Sequence, residues 1–119
     1  PDWTVIRSVL RLQPGDSAAI LDKMNDFAQR RRNKQPLNFP SAGSTFKRPE
    51  GHFAGQLIEQ AGLKGVSVGA AQVSEKHAGF LINRGGATCD DMLRLIELVQ
   101  ERVETQFGVE LECEVRIVK

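Results

Sequence analysis

The sequence is poor in the residue types that announce most chemistries. Tyrosine is absent, and there are one tryptophan, two cysteines, two histidines and two methionines. Cys89 and Cys113 are far apart and form no C-x-x-C pair, so no zinc ribbon or dithiol motif is written here. They read as ordinary thiols of a reducing compartment. His52 and His77 stand outside any H-E-x-x-H or Cys/His cluster, and no metal site is expected. Charge of one sign is lacking as well. Sixteen Lys and Arg against fifteen Asp and Glu leave +1, which gives no bulk attraction to nucleic acid or to a membrane surface. No apolar run approaches the ~18 residues of a membrane span, and no signal peptide is read. The expectation is a cytoplasmic protein. At 119 residues the chain reads as one domain around a single core. It begins at Pro1 without Met, which reads as a piece of a longer protein or a processed one.

What is present is organised around residues 35–51, QPLNFPSAGSTFKRPEG. Pro36, Pro40 and Pro49 fix φ and lack an N–H, so no helix or central strand is expected to run through. Gly43 permits close backbone approach or a positive φ. Ser44 and Thr45 offer hydroxyls, and Lys47 and Arg48 offer positive charge. Two readings stand: an anion-binding, proton-handling loop, or a plain surface turn. Composition alone favours the turn.

The flanking elements follow from periodicity. Trp3–Leu12 is rich in β-branched residues and predicts a strand, ended by Gln13-Pro14-Gly15. Asp16 predicts an N-cap, with Ile20, Leu21, Met24, Phe27 and Ala28 at helical spacing and the helix running to about Arg32. Arg30 to Arg32 sit in its last turn, where cations suit the helix dipole. An RNA-binding reading would rest on these arginines alone, and near-neutral charge without RNP-like aromatics argues against it. A short helix is predicted over His52–Ala61, stopped by Gly62. Val66–Ser74 predicts a strand, whose Gly69 and alanines suggest close approach of another backbone. Phe80–Asn83 is a second strand, and Arg84-Gly85-Gly86 a turn. Thr88 predicts the N-cap of the longest helix, with Asp91 completing an imperfect capping box. Met92, Leu95, Ile96, Val99, Val103 and Phe107 form its apolar stripe, and Gly108 stops it. Val109 to Ile117 alternates apolar residues with Glu110, Glu112, Glu114 and Arg116, a strand with one face buried. The order β-α-loop-α-β-β-α-β predicts an α+β domain with helices packed on one mixed β-sheet.

Several stretches together resemble the C-terminal domain of the UDP-N-acetylenolpyruvoylglucosamine reductase (MurB) family of bacterial flavoenzymes, in its shorter form. They are RRNKQPLNFPSAGSTF (31–46), Lys47-Arg48-Pro49, Gly55–Gly65, AQVSEKHAGFLIN (71–83), Ala87-Thr88 and FGVELECEVR (107–116). Ala70 departs from the family, which commonly has Gly there. The resemblance implies reduction of the enolpyruvyl ether of UDP-N-acetylglucosamine to UDP-N-acetylmuramate for peptidoglycan. Cell-wall biogenesis, cell shape and division follow from it. It implies FAD and NADPH, with the flavin held by N-terminal FAD-binding domains whose sequence is not in this chain. The chain is thus read as the substrate-binding domain, 1–119, and alone is expected to bind no flavin and to be inactive.

By resemblance Ser44 is the catalytic proton donor and Glu114 the catalytic glutamate. Lys34 meets the diphosphate, and Arg48 holds the diphosphate or the substrate carboxylate. Lys76 and Asn83 are further candidates for substrate binding, and His77 is read as fixing its strand pair. The alternative is a non-catalytic nucleotide-sugar-binding module, which would need neither Ser44 nor Glu114.

Overall fold

The computed structural model describes residues 4–118. Its elements are α1 (Ser17–Lys34), β1 (Ser41–Ser44), α2 (Ala54–Gln60), β2 (Ser67–Val68), β3 (Ala71–Val73), β4 (Phe80–Asn83) and α3 (Cys89–Phe107). The strands form one sheet in the order β1-β4-β3-β2, with every pair antiparallel. Helices and one sheet share the core, as expected, so the domain is α+β; the sheet is antiparallel throughout rather than mixed.

The core lies between the sheet and the helices α2 and α3. Ile58, Val73, Leu95, Val99, Val103 and Leu111 are fully buried there. The stripe read for α3 is the face that packs: Leu95, Ile96, Val99 and Val103 are buried, and Met92 and Phe107 flank them. Both ends of α3 are as the sequence predicts. Thr88 Oγ1 accepts from the Asp91 N–H at 3.1 Å, and Asp91 accepts in return from Thr88 N at 2.9 Å. Gly108 ends the helix at φ 67°. The Thr88 hydrogen bonds hold the Asp91 carboxyl below its ordinary pKa.

α1 forms where its pattern predicts, capped by Asp16, whose Oδ1 accepts from Ala18 N at 3.1 Å. It runs two residues beyond Arg32, to Lys34. Its apolar residues nevertheless lie open: Ile20 is 48% exposed and Phe27 55%. Surface pairs such as Asp26–Arg30, at 2.8 Å, line the helix instead of a packed face.

Three expected strands are not formed as drawn. Trp3 lies outside the described residues, and Thr4–Leu12 takes no regular structure. β-branched residues favour a strand only beside a partner, and this segment pairs with neither edge of the described sheet. Val66–Ser74 is not one strand but a hairpin, β2–β3, turning at Gly69-Ala70. Gly69 has φ 54°, and Ala70 does not have positive φ, the sign pattern of a type II′ turn. What approaches Gly69 is a side chain rather than a backbone: a Cβ there would meet Asp91 Oδ1 at 2.5 Å.

Residues 109–117 keep their burial alternation as far as Val115, yet they make a single antiparallel bridge, Phe46 to Cys113. Lys47 N donates to Glu112 O at 2.8 Å and Glu114 N to Thr45 O at 2.9 Å. The next rungs on either side would need the N–H of Pro49, which has none, and that of Gly43, which is given to Ser41 Oγ at 3.3 Å.

Gly69→Ala is expected to lose about 1–3 kcal/mol of stability, from a non-glycine residue forced to positive φ against a carboxylate. Equilibrium urea unfolding measures it; a midpoint equal to that of the unsubstituted chain would contradict the Gly69–Asp91 packing.

Candidate functional site

β1 is an edge strand, which explains how a proline-flanked segment can join the sheet. Pro40 contributes only its carbonyl, accepting from Asn83 N at 2.9 Å. The register slips between Ser41, opposite Ile82, and Ser44, opposite Phe80. Gly43 sits in this bulge at φ 87°. Beyond it, Thr45 is buried and fully engaged. Its N–H donates to Gly79 O at 2.9 Å, its carbonyl accepts from Glu114 N, and its Oγ1 accepts from Leu81 N at 3.3 Å. With Thr45 turned inward, its neighbours Ser44, Phe46 and Arg48 alternate onto the other side, and all three line one cleft of about 410 Å³.

The opposite walls are the start of α2 and the β3–β4 connection. Arg48 lies over the Phe53 ring, its guanidinium carbon 4.1 Å from the centroid, which holds the cation at the rim. Two glycines bring the walls together: a Cβ on Gly55 would come within 3.3 Å of both Gly79 N and His77 Cε1. His77 Nδ1 accepts from Gly79 N at 3.1 Å, so a neutral ring carries its proton on Nε2. The ring meets Phe80 edge to face at 5.0 Å. His77 therefore fixes the connection between its two strands, as the sequence reading has it. Ser74 Oγ completes that turn by accepting from the N–H groups of Lys76 and His77.

The expected site residues are distributed unevenly. Ser44, Arg48 and Lys76 share the cleft. Lys76 Nζ also donates to Arg32 O at 2.5 Å, so the same ammonium joins this cleft to the end of α1. Glu114 is exposed and is not among the residues lining the cleft, although its N–H is bonded to the residue that follows Ser44. Lys34 ends α1, exposed and outside the lining. Asn83 fastens the next turn: its Oδ1 accepts from Gly85 N at 2.8 Å and Ala87 N at 3.0 Å.

Two groups offered by the sequence as ligand-binding are otherwise occupied. The Thr45 hydroxyl serves Leu81, and the Lys47 ammonium is paired with Glu112. Phe53 was not singled out by sequence; an aromatic just before a helix is its only signal. The cleft brings a hydroxyl beside two cations, with Glu59 as a carboxylate on its wall. That suits an anionic ligand. Among the described residues no three His, Cys, Asp or Glu side chains gather to hold a metal. Burial pushes the Cys113 thiol pKa up, which keeps it a poor nucleophile.

Residues 35–118 match the family described as UDP-N-acetylenolpyruvoylglucosamine reductase, C-terminal domain. The chain is 57% identical over 116 residues to a UDP-N-acetylenolpyruvoylglucosamine reductase of Clostridium perfringens, with 98% of the chain and 38% of that protein covered. It is 56% identical over 117 residues to one of Caldanaerobacter subterraneus, covering 98% of the chain and 39% of the relative. The chain thus spans about two fifths of the length of the curated relatives it matches. The crystal structure of UDP-N-acetylenolpyruvylglucosamine reductase from Thermus caldophilus superposes with a TM-score of 0.70 at 36% identity, over 90% of this chain and 38% of that one.

Thr45→Val keeps the side-chain shape but leaves the buried Leu81 N–H without its acceptor. The expected loss is about 1–3 kcal/mol, read from the denaturation midpoint. A variant as stable as the parent would show that Thr45 Oγ1 does not hold β1 to β4.

Proposed function

The chain belongs to the family of UDP-N-acetylenolpyruvoylglucosamine reductase C-terminal domains, and we propose that it acts as the substrate-binding domain of such an enzyme. The reaction is reduction of UDP-N-acetylglucosamine enolpyruvate to UDP-N-acetylmuramate, a peptidoglycan precursor. Cell-wall biogenesis, cell shape and division depend on that product. The observation that carries this reading is that Ser44, Arg48 and Lys76 line one cleft, with the Lys76 ammonium reaching from it to the end of α1.

FAD, when bound elsewhere in such an enzyme, supplies a hydride derived from NADPH. The described residues do not fit that flavin. The glycine turn at Gly85-Gly86 leads into the N-terminus of α3, but the Asp91 carboxylate already lies there, against Thr88 N. A flavin diphosphate would meet a like charge at the helix end. N-terminal FAD-binding domains are therefore assigned that role, and the 119-residue chain alone is assigned neither flavin nor reductase activity. The partner of this domain is then the remainder of the same enzyme. We assign the enzyme to the cytoplasm; no helix among the described residues is long and apolar enough to cross a membrane.

Within this reading the residues divide the work by chemistry. Reduction of the enol ether adds one hydride and one proton across a carbon–carbon double bond. Hydride addition leaves negative charge beside the substrate carboxylate, and Ser44 gives its hydroxyl proton to the adjacent carbon. A serine is a poor acid in water but serves when the developing base is strong and the site is dry. Glu114 orients the enolpyruvyl group or stabilises the enol. Arg48 suits a diphosphate or carboxylate with its planar fork, and Lys76 and Lys34 suit a diphosphate as point charges. Asn83, which holds the Gly85–Ala87 turn, is assigned to substrate binding as well. A second reading, a non-catalytic nucleotide-sugar-binding module, draws on the position of Glu114 outside the cleft lining.

Ser44→Ala, made in the longer enzyme that carries this domain, separates the two. Flavin reduction by NADPH is expected to keep its rate, because no proton from Ser44 is needed there. Re-oxidation by substrate is expected to slow by at least ~10²-fold, the lower end of a positioned general acid. Ser44→Cys is expected to recover part of the loss. Stopped-flow absorbance resolves both half-reactions. Equal rates for Ser44→Ala and the parent would leave Ser44 a bulge residue and favour the binding module.

A further inference from the structure

Three hydrogen bonds to its main chain, beside the Lys47–Glu112 side-chain pair, suspend the segment Leu111–Glu114. Two of them, Lys47 N to Glu112 O at 2.8 Å and Glu114 N to Thr45 O at 2.9 Å, flank the Phe46–Cys113 bridge and tie the segment to the strand that carries Ser44. The third comes from α3. Gln100 Nε2 donates to the Leu111 carbonyl at 2.7 Å and passes Cys113 Sγ at 3.9 Å.

Gln100 follows the buried Val99 on α3 and is itself half-buried. A leucine or methionine would fill such a place with no amide to desolvate. An amide suits it where its hydrogen bonds are made, and here one goes to the backbone of a fully buried residue. Its leverage follows from where it pulls. Two backbone bonds astride one bridge fix one edge of the segment, and the fully buried Leu111 seats its start in the core. A third bond, to a helix packed on β2 and β3, lies off that edge and fixes the direction of the Leu111 peptide. Glu114, the last residue of the suspended segment, inherits its direction from this arrangement.

We infer that Gln100 is a positioning residue that sets the place of Glu114 relative to Ser44. The inference rests on the catalytic reading of Glu114 given above. Gln100 itself touches none of the cleft.

The test has two arms. In the 119-residue chain, Gln100→Met is expected to raise amide hydrogen exchange at Glu114 and Lys47 by ~10-fold or more, while the amide of Val99 in α3 stays protected. In the longer enzyme, the same variant is expected to slow flavin re-oxidation by substrate by on the order of 10-fold, the effect of a sub-ångström misplacement, with KM and NADPH-driven flavin reduction unchanged. A merely structural role would lower both half-reactions together. Gln100→Glu supplies the rescue: its carboxylate cannot donate to the Leu111 carbonyl, but its protonated form can. Its activity relative to the parent is expected to rise as pH falls. That series also carries the test if Gln100→Met does not fold, and a flat ratio would overturn the inference. Unchanged exchange, or changed exchange with an unchanged re-oxidation rate, would overturn it as well. Glu114→Gln runs as the control. If it is slow while Gln100→Met is not, only the role of Gln100 fails. If Glu114→Gln is itself at the parental rate, the catalytic reading of Glu114 fails, and the inference with it.

Discussion

Thr45 is the residue on which the rest of the site hangs. It is 4% exposed, and each of its polar groups is used. Its N–H holds the β3–β4 connection through Gly79, its hydroxyl holds β4 through Leu81, and its carbonyl holds the C-terminal segment through Glu114. Three stretches distant in sequence, at residues 45, 79–81 and 114, thus meet at Thr45. Backbone and hydroxyl groups buried this deeply are stable only when paired, so the arrangement tolerates little variation. Turning Thr45 inward turns Ser44 and Arg48 outward by strand alternation, while Phe46, which also borders the cleft, stays buried in the core. The face that carries Ser44 is a consequence of the buried one.

The bulge at Gly43 makes that possible. It shifts the register between Ser41 and Ser44, and so decides which face Ser44 takes. A regular pairing would move the strand by one residue and put Ser44 on the other face. The cleft wall is likewise fixed by small groups. Gly55 and Gly79 let α2 and the β3–β4 connection close on the His77 ring, and His77 in turn holds Gly79, whose carbonyl holds Thr45. The cations around this frame are held differently. Arg48 rests on Phe53, Lys76 is bonded to the end of α1, and Lys34 is the last residue of that helix.

Local chemistry was legible in the sequence wherever it sufficed. The α3 stripe, the Thr88–Asp91 capping box and the glycines at 62 and 108 depend on neighbours within a turn of helix, and each is where the pattern predicts. What depended on distant partners was not legible. The β2–β3 hairpin rests on Gly69 meeting Asp91, and the C-terminal ladder is cut by Pro49 and by the bulge at Gly43. Thr4–Leu12 has strand composition without a strand beside it. The same division runs through the site. Ser44 and Arg48 were reached through the family resemblance, and alternation alone would have linked them only if the bulge were known to precede both. Phe53, the Gly55–Gly79 contact and Gln100 carry no local signature, because each acts on a residue far along the chain.

The central claim is that the face of the Ser44 strand opposite Thr45 is where an anionic nucleotide sugar is held. Titration of the isotope-labelled chain with UDP-N-acetylglucosamine, followed by amide chemical shifts, tests it without any flavin. The account predicts saturable shifts at Ser44, Arg48 and Lys76–Gly79, lost in Arg48→Ala, with the amides of α3 unmoved. Shifts confined to other surfaces, or none at millimolar ligand, would contradict it.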